Sequence, residues 1–341
     1  MNNYEIIKPV SRGSFRERLA ELYMRVGDFL DVEHLHGRRL LYAKVFLSDA
    51  QNQYDALLKS DLYNEQLSQA TPTIVEQTPA DGSKINVLLM TGDTNENMSF
   101  LPLRLTEEET RGCNSYLQTM SLFEKYLDWA GKNGVDMKTH LVRTWIYVAD
   151  IDNNYDGVVK ARNDIFKQYG LTADTHYIAS TGIGGCTEVS SASVAMDFLT
   201  FPEIKEEDKK YLNALDHLDK THDYGVAFER GTRLKHDGLY TYYISGTASI
   251  DNKGNVLYIG DVERQTGRLL ENIGALLKDG DAKMNDIRYF IIYLRDSSDY
   301  MAVERIMSAA YPKIPHVILH AKVCRPQWLI EMECIAEKLK S

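Results

Sequence analysis

HVILHAKVCRPQWLIEMECIAEK, residues 316–338, is the stretch on which the reading of the chain turns. Two runs rich in β-branched and aromatic residues, 317–323 and 328–335, flank the turn chemistry of Arg325, Pro326 and Gln327, so the stretch reads as a hairpin closing a sheet. Alternation along the second run puts Trp328, Ile330, Met332 and Cys334 on one face and Leu329, Glu331, Glu333 and Ile335 on the other. Two carboxylates thereby share a face with apolar side chains. A carboxyl desolvated in that way has its pKa raised and becomes a usable general acid near neutrality. The alternative is an edge strand whose glutamates face water.

Outward from this stretch the chain repeats. The strand-like runs LLYAKVFLSD (40–49), LVRTWIYVAD (141–150) and IRYFIIYLRD (287–296) each end in Asp and lead through a polar turn into a helix carrying Tyr54, Tyr155 or Tyr300. Asp49, Asp150 and Asp296 are the expected helix N-caps. A helical stripe precedes each strand, over 15–32, 106–132 and 261–278, and a strand pair follows each second helix. The pattern predicts β-α-β-α-β-β units with helices on one face of each sheet. The units expected are 1–100, 101–203 and 239–341, with the charged segment 204–238 covering or lining something.

Composition narrows the function classes. A chain of 341 residues with 44% hydrophobic content buries a sizeable core. A net charge of −10 argues against a nucleic-acid surface, and no apolar run reaches membrane-spanning length, so neither nucleic acid nor membrane is an expected partner. The start, MNNYEIIKPVSRGSF, lacks the order of a signal peptide, which gives the cytoplasm as the expected compartment. Cys113, Cys186, Cys324 and Cys334 have no metal-site or disulfide spacing and read as free thiols; no metal or cofactor and no obligate protein partner is expected.

The last hundred residues, through YISGTASID (243–251), GDVERQ (260–265), LLENIGALL (269–277) and IEMECIA (330–336), resemble the Rid family, also called YjgF/YER057c/UK114, of enamine and imine deaminases. The middle copy, with VRTWIYVADI, KARNDIF and STGIGG, resembles the preceding domain of longer members, among them the chorismatases. The resemblance implies an α+β fold of three Rid-like (chorismate mutase-like) units, helices on one face of mixed sheets, in a pseudo-trimeric arrangement within one chain, the first unit degenerate. It implies a small anionic metabolite as ligand. No arginine lies between Pro315 and Val323, where simple Rid deaminases place the residue that holds a substrate carboxylate. Cys324 and, seven residues on, Glu331 instead resemble the chorismatase pair of pocket cysteine and proton-donating glutamate, and YGVAFERG (224–231) resembles the arginine-bearing stretch of that group. Ile146 stands where chorismatases tend to have asparagine.

Such an enzyme hydrolyses the enolpyruvyl ether of chorismate, giving pyruvate and a cyclohexadiene or hydroxybenzoate product. Protonating the methylene carbon needs one carboxylic acid, and Glu331 is the expected donor, with Glu333 on the same face as its rival. A dianion needs cationic partners: Arg230 first, then Arg162, with Arg143 also a candidate. Cys324 is expected to line the pocket, and by resemblance so is Ala248, with Ser245 and Gly246 beside it. The glycine-rich run 180–185 is a candidate anion nest. A Rid-type deaminase or hydrolase acting on another anion, or a non-catalytic metabolite-binding regulator, are the competing readings.

Overall fold

The computed structural model describes residues 2–93, 97–219, 221, 225–236 and 238–340. In the first unit a capping box of Ser14 and Glu17 starts α1 (Phe15–Leu35). Its Leu19, Leu22, Val26 and Leu30 cover one face of the sheet β1 (Asn3–Ile7), β5 (Ile85–Asp93), β2 (Arg38–Leu47), β3 (Thr73–Glu76), in that spatial order. α2 (Ala50–Leu58) crosses from β2 to β3, which makes that pair parallel. The two-residue strand β4 (Thr78–Pro79) leaves this unit for another.

The middle unit repeats the plan as β6 (Ser99–Leu103), β9 (Val194–Thr200), β7 (Leu141–Val148), β8 (Ala179–Gly184), with β7 and β8 parallel. The helix expected over 106–132 is broken into α3 (Glu107–Thr110) and α4 (Ser115–Lys132). Gly112 turns left-handed at φ 72° between them, and Asn114 caps the second by accepting from the N–H of Leu117. The short α5 (Met137–His140) precedes β7, and α6 (Ile151–Gln168) links β7 to β8. The helix 300–310 begins after Asp299 with no side-chain cap bond, Asp296 capping only the short turn 297–299 before it by accepting from the Ser298 N–H, and Asp49 caps α2 as expected, accepting from the N–H of Asn52. Asp150 does not: it sits at φ 44° with no side-chain cap bond.

In the third unit β12 (Leu239–Thr247), β15 (Ile330–Leu339), β13 (Ile287–Leu294) and β14 (His316–His320) repeat the order once more, with α7 (Val262–Asp279) and α8 (Tyr300–Ala310). The expected hairpin of 317–323 with 328–335 is corrected here. β14 lies parallel to β13, and β15 runs antiparallel between β13 and β12, so the two runs are not paired and Arg325 to Gln327 is a crossover turn. A parallel crossover helix, α8, forces this, because its return strand must join on the far side of β13. β10 (Lys209–Tyr211) and β11 (Gly231–His236), from the segment expected to cover or line something, extend this sheet beside β12.

The faces of the three sheets that carry no helices meet. Tyr42 and Phe46 of β2, Trp145 and Tyr147 of β7, and Tyr289 and Tyr293 of β13 share one buried cluster. Polar groups on these faces are paired within it: Lys44 Nζ donates to Tyr147 and Asp197 at 2.9 and 3.2 Å and lies 3.6 Å from the Trp145 ring centroid. Burial lowers the Lys44 ammonium to about 8 despite the opposing charges of Asp197 and Glu333. Backbone bridges stitch each sheet to the next: β4 to β14 (Pro79 to Leu319), Cys186 to Glu76, and Val323 to Ile183. This is a three-unit, Rid-like α+β fold.

Candidate active site

The seam between the middle and third units holds a cavity of about 380 Å³. β15 supplies Glu331, β12 and the residues after it supply Gly246 and Ala248, β8 supplies Ser180 to Gly182, and α6 lays Tyr155, Asp156, Val159 and Arg162 along one wall. Gly225, Val226, Phe228 and Arg230 close it from the covering segment, and Cys324, Arg325 and Trp328 from the crossover turn. Tyr224, part of the stretch singled out with Arg230, lies outside the described residues.

Glu331 is 5% exposed, and no hydrogen bond reaches its carboxyl among the described residues. Burial, then the charge of Glu333, pushes it up to about 8, against the opposing pull of Arg230 and Arg143. The space for it is made by Gly246: a Cβ added there would collide with Glu331 Oε1 and stand 3.0 Å from the Thr181 methyl. The Gly246 N–H donates to Thr181 Oγ1 at 2.9 Å, which fixes that approach.

The alternation of β15 places Glu333 on the same face, with a different fate. Arg143 donates to its Oε2 at 2.9 Å and Trp145 Nε1 to its Oε1 at 2.6 Å, and it does not line the cavity. Arg143, expected as a substrate-binding candidate, is therefore a core residue, 2% exposed, whose guanidinium also bonds Thr181 Oγ1 at 2.5 Å. Ser245 is likewise off the cavity. Its hydroxyl donates to the Glu229 carbonyl at 2.6 Å and accepts from the Ser180 N–H at 2.9 Å, joining segment, β12 and β8.

Arg162 and Arg230 do line the cavity, 2% and 6% exposed, with their guanidinium carbons 5.8 and 5.3 Å from the Phe228 ring centroid. Asp219 orients Arg230, accepting from Nη2 at 2.7 Å. Burial lifts the Cys324 thiol to about 12, so it is a neutral lining group rather than a nucleophile. Of residues 180–185, considered as an anion nest, 180–184 are strand, their backbone running in the β7–β8 ladder. Gly184 there lets the sheet edge touch the Lys322 backbone, 2.8 Å from where a Cβ would be.

Sequence reasoning missed Tyr155, Phe228, Arg325 and Trp328. Arg325 stacks on Trp328, with its guanidinium carbon 4.9 Å from the ring centroid, and brings a third arginine to the wall. Tyr155 was visible as a repeated position, and it lines the cavity together with Cys324. Among the described residues no three His, Cys, Asp or Glu side chains converge as metal ligands, and no helix is long and apolar enough to cross a membrane.

A three-unit fold with one acid-and-arginine cavity at a seam defines the class: a multi-unit protein of the Rid superfamily. Residues 236–338 match the family described as Endoribonuclease L-PSP. A RutC family protein of Pyrococcus abyssi is 32% identical over 98 residues, 28% of this chain and 77% of its own length. The 3-aminoacrylate deaminase RutC of Acinetobacter baylyi is 28% identical over 96 residues, 28% of this chain and 76% of its own. The crystal structure of a chorismatase superposes with TM-score 0.67 at 18% identity, covering 98% of both chains, which shows a shared fold over the whole length. The chain belongs to the RutC family within the Rid (YjgF/YER057c/UK114) superfamily.

Proposed function

We propose that this protein is a chorismatase-like enzyme that cleaves the enolpyruvyl ether of chorismate, releasing pyruvate and a cyclohexadiene or hydroxybenzoate product. The observation that carries the reading is Glu331, a buried carboxyl without a hydrogen-bond partner among the described residues, raised to about 8 by burial, in a cavity that three arginines also line. Glu331 gives its proton to the methylene carbon of the vinyl ether, and the electron pair of the C=C bond forms the new C–H bond. The adjacent carbon becomes an oxocarbenium centre. Water adds to that carbon and its proton returns to Glu331. The resulting hemiketal collapses to pyruvate as the ether C–O bond breaks, and the ring oxygen leaves protonated. Arg162, Arg230 and Arg325 grip the two carboxylates of the substrate, and the low exposure of Arg162 and Arg230 strengthens their charge-assisted bonds.

The likeness to a 3-aminoacrylate deaminase favours one other reading, because an enamine is protonated at carbon by the same kind of acid. Residues 1–100, 101–203 and 239–341 would be three Rid-like units about a pseudo-threefold, with 204–238 as the covering segment. The three backbone seams support this, and a chain so closed would be a monomer in solution. Incubation with chorismate, with pyruvate and ammonia both assayed, tests the function. Pyruvate from chorismate is the expected result. Ammonia from an enamine substrate with no pyruvate from chorismate would transfer the site to deamination, and tight binding without turnover of either would make the protein a regulator.

A further inference from the structure

The crossover turn 324–328 brings Cys324, Arg325 and Trp328 to the cavity, and one residue ties both of its ends to the opposite wall. That residue is Arg295, which follows β13. Its backbone N–H donates to the Leu329 carbonyl at 2.9 Å and its Nη1 to the Val323 carbonyl at 2.7 Å, so it holds the chain just before and just after the turn. Its Nη2 crosses the seam to both carboxylate oxygens of Asp152, at 2.9 and 3.0 Å. Asp152 lies in the first turn of α6, the helix that lays Tyr155 and Arg162 along the facing wall. Lys322 Nζ adds a second cation, 2.9 Å from Asp152 Oδ2. Two other contacts hold the turn, neither of them to α6. Gln265 of α7 donates to the Gln327 carbonyl and accepts from the Leu329 N–H, both at 2.9 Å, and Val323 bridges to Ile183 of β8.

The repeat shows that the ionic contact belongs to one seam. In the aligned runs 40–49, 141–150 and 287–296, Arg295 corresponds to Ser48 and Ala149. Asp152, two residues past the end of its run, corresponds to Gln51 and Ser298. The same two positions are therefore Gln51 and Ala149 at the seam of the first and middle units, and Ser298 and Ser48 at the seam of the third and first. Neither couple can form an ion pair. Of the three seams, the one that holds the catalytic cavity is the one where these positions are charged. The Arg295 and Asp152 side chains are 18% and 31% exposed, and ion pairs this near water add little to stability. What a guanidinium adds is direction, because its planar fork holds one arm on Val323 and the other on Asp152.

We infer that Arg295 is a positioning residue: through Asp152 it sets the separation between the turn and α6, and so the spacing at which Arg325 and Arg162 meet the two carboxylates of one substrate. The inference rests on the reaction proposed above. Arg295 does not itself line the cavity, so it acts through the residues it holds. Glu331 is held independently, since β12 and β13 pair with β15 on its two sides. Loosening the turn therefore weakens the grip on the substrate and spares the proton transfer.

Kinetics and hydrogen exchange on full-length Arg295→Met, Asp152→Ala and Asp152→Glu, with circular dichroism confirming each fold, test this. With chorismate as substrate, Arg295→Met should raise KM about fivefold or more with kcat within about threefold of the parent. Asp152→Ala should raise KM about threefold or more, and Asp152→Glu, which keeps a carboxylate in reach of both cations, should stay within about twofold. By mass spectrometry, the amides of 325–329 should exchange about threefold faster or more in Arg295→Met. An unchanged KM in Arg295→Met, a fall in kcat at constant KM, or parent-like exchange over 325–329 would each overturn the inference. A parent that releases no pyruvate from chorismate would instead sink the catalytic reading, and the exchange result would then decide by itself whether Arg295 positions the turn.

Discussion

Glu331 and Glu333 stand two residues apart on one face of one strand, both almost fully buried, and the protein treats them oppositely. Glu333 faces the centre where the three sheets meet, and Arg143 and Trp145 satisfy it at 2.9 and 2.6 Å. Glu331 faces the seam, where Gly246 clears a space for it and no donor answers it among the described residues. The lesson is that partners rather than burial decide the chemistry of a buried carboxyl: hydrogen-bonded to a cation it is structure, left alone beside a cavity it keeps a proton to give.

The widest gap between the two should appear on substitution to glutamine. Glu331→Gln should lower kcat for pyruvate release by roughly 100- to 10,000-fold with KM little changed, since the amide keeps the shape and loses the acid. Glu333→Gln should instead leave kcat within a few-fold and lower stability by about 3 kcal/mol, read by urea denaturation, because Arg143 loses its buried counter-charge. Arg230→Ala should weaken substrate binding by about 2 kcal/mol, seen as a raised KM; an unchanged KM would place the carboxylate grip on Arg162 and Arg325 alone.

The contrast extends to the pH dependence of stability. The carboxyl of Glu331 is raised from its ordinary 4.5 to about 8, so the folded protein holds a proton that the unfolded chain has released. Stability from this group is complete below about 4.5 and is lost as pH rises toward about 8. Glu331→Gln removes the dependence. Its melting temperature should gain about 5–10 °C on the parent between the acid and alkaline ends of that window, by calorimetry at matched ionic strength. A constant difference across the window would mean that Glu331 is ionised throughout.

Much of this contrast was legible beforehand, and its limit is physical. The alternation of 328–335 put both glutamates on the buried face, and the recurrence of strand, Asp and Tyr outlined three units, because periodicity and turn chemistry are local. Assigning Arg143 to Glu333 was out of reach, since the two lie 190 positions apart and meet only where sheets pack face to face. The hairpin expected across Arg325 to Gln327 failed for the same reason. Two strands joined by a tight turn need not pair when a crossover helix has already fixed one of them beside β13. Tyr155, on α6 of the middle unit, came to share a cavity with Glu331 only through the seam, and nothing in its own stretch marks that.

The central claim is that Glu331 carries a proton at neutral pH, and infrared difference spectroscopy of the protein against Glu331→Gln tests it most directly. The account predicts a protonated-carboxyl C=O band at pH 7 that belongs to Glu331 and is exchanged for a carboxylate band as pH passes about 8. A Glu331 carboxylate band already complete at pH 6 would contradict it.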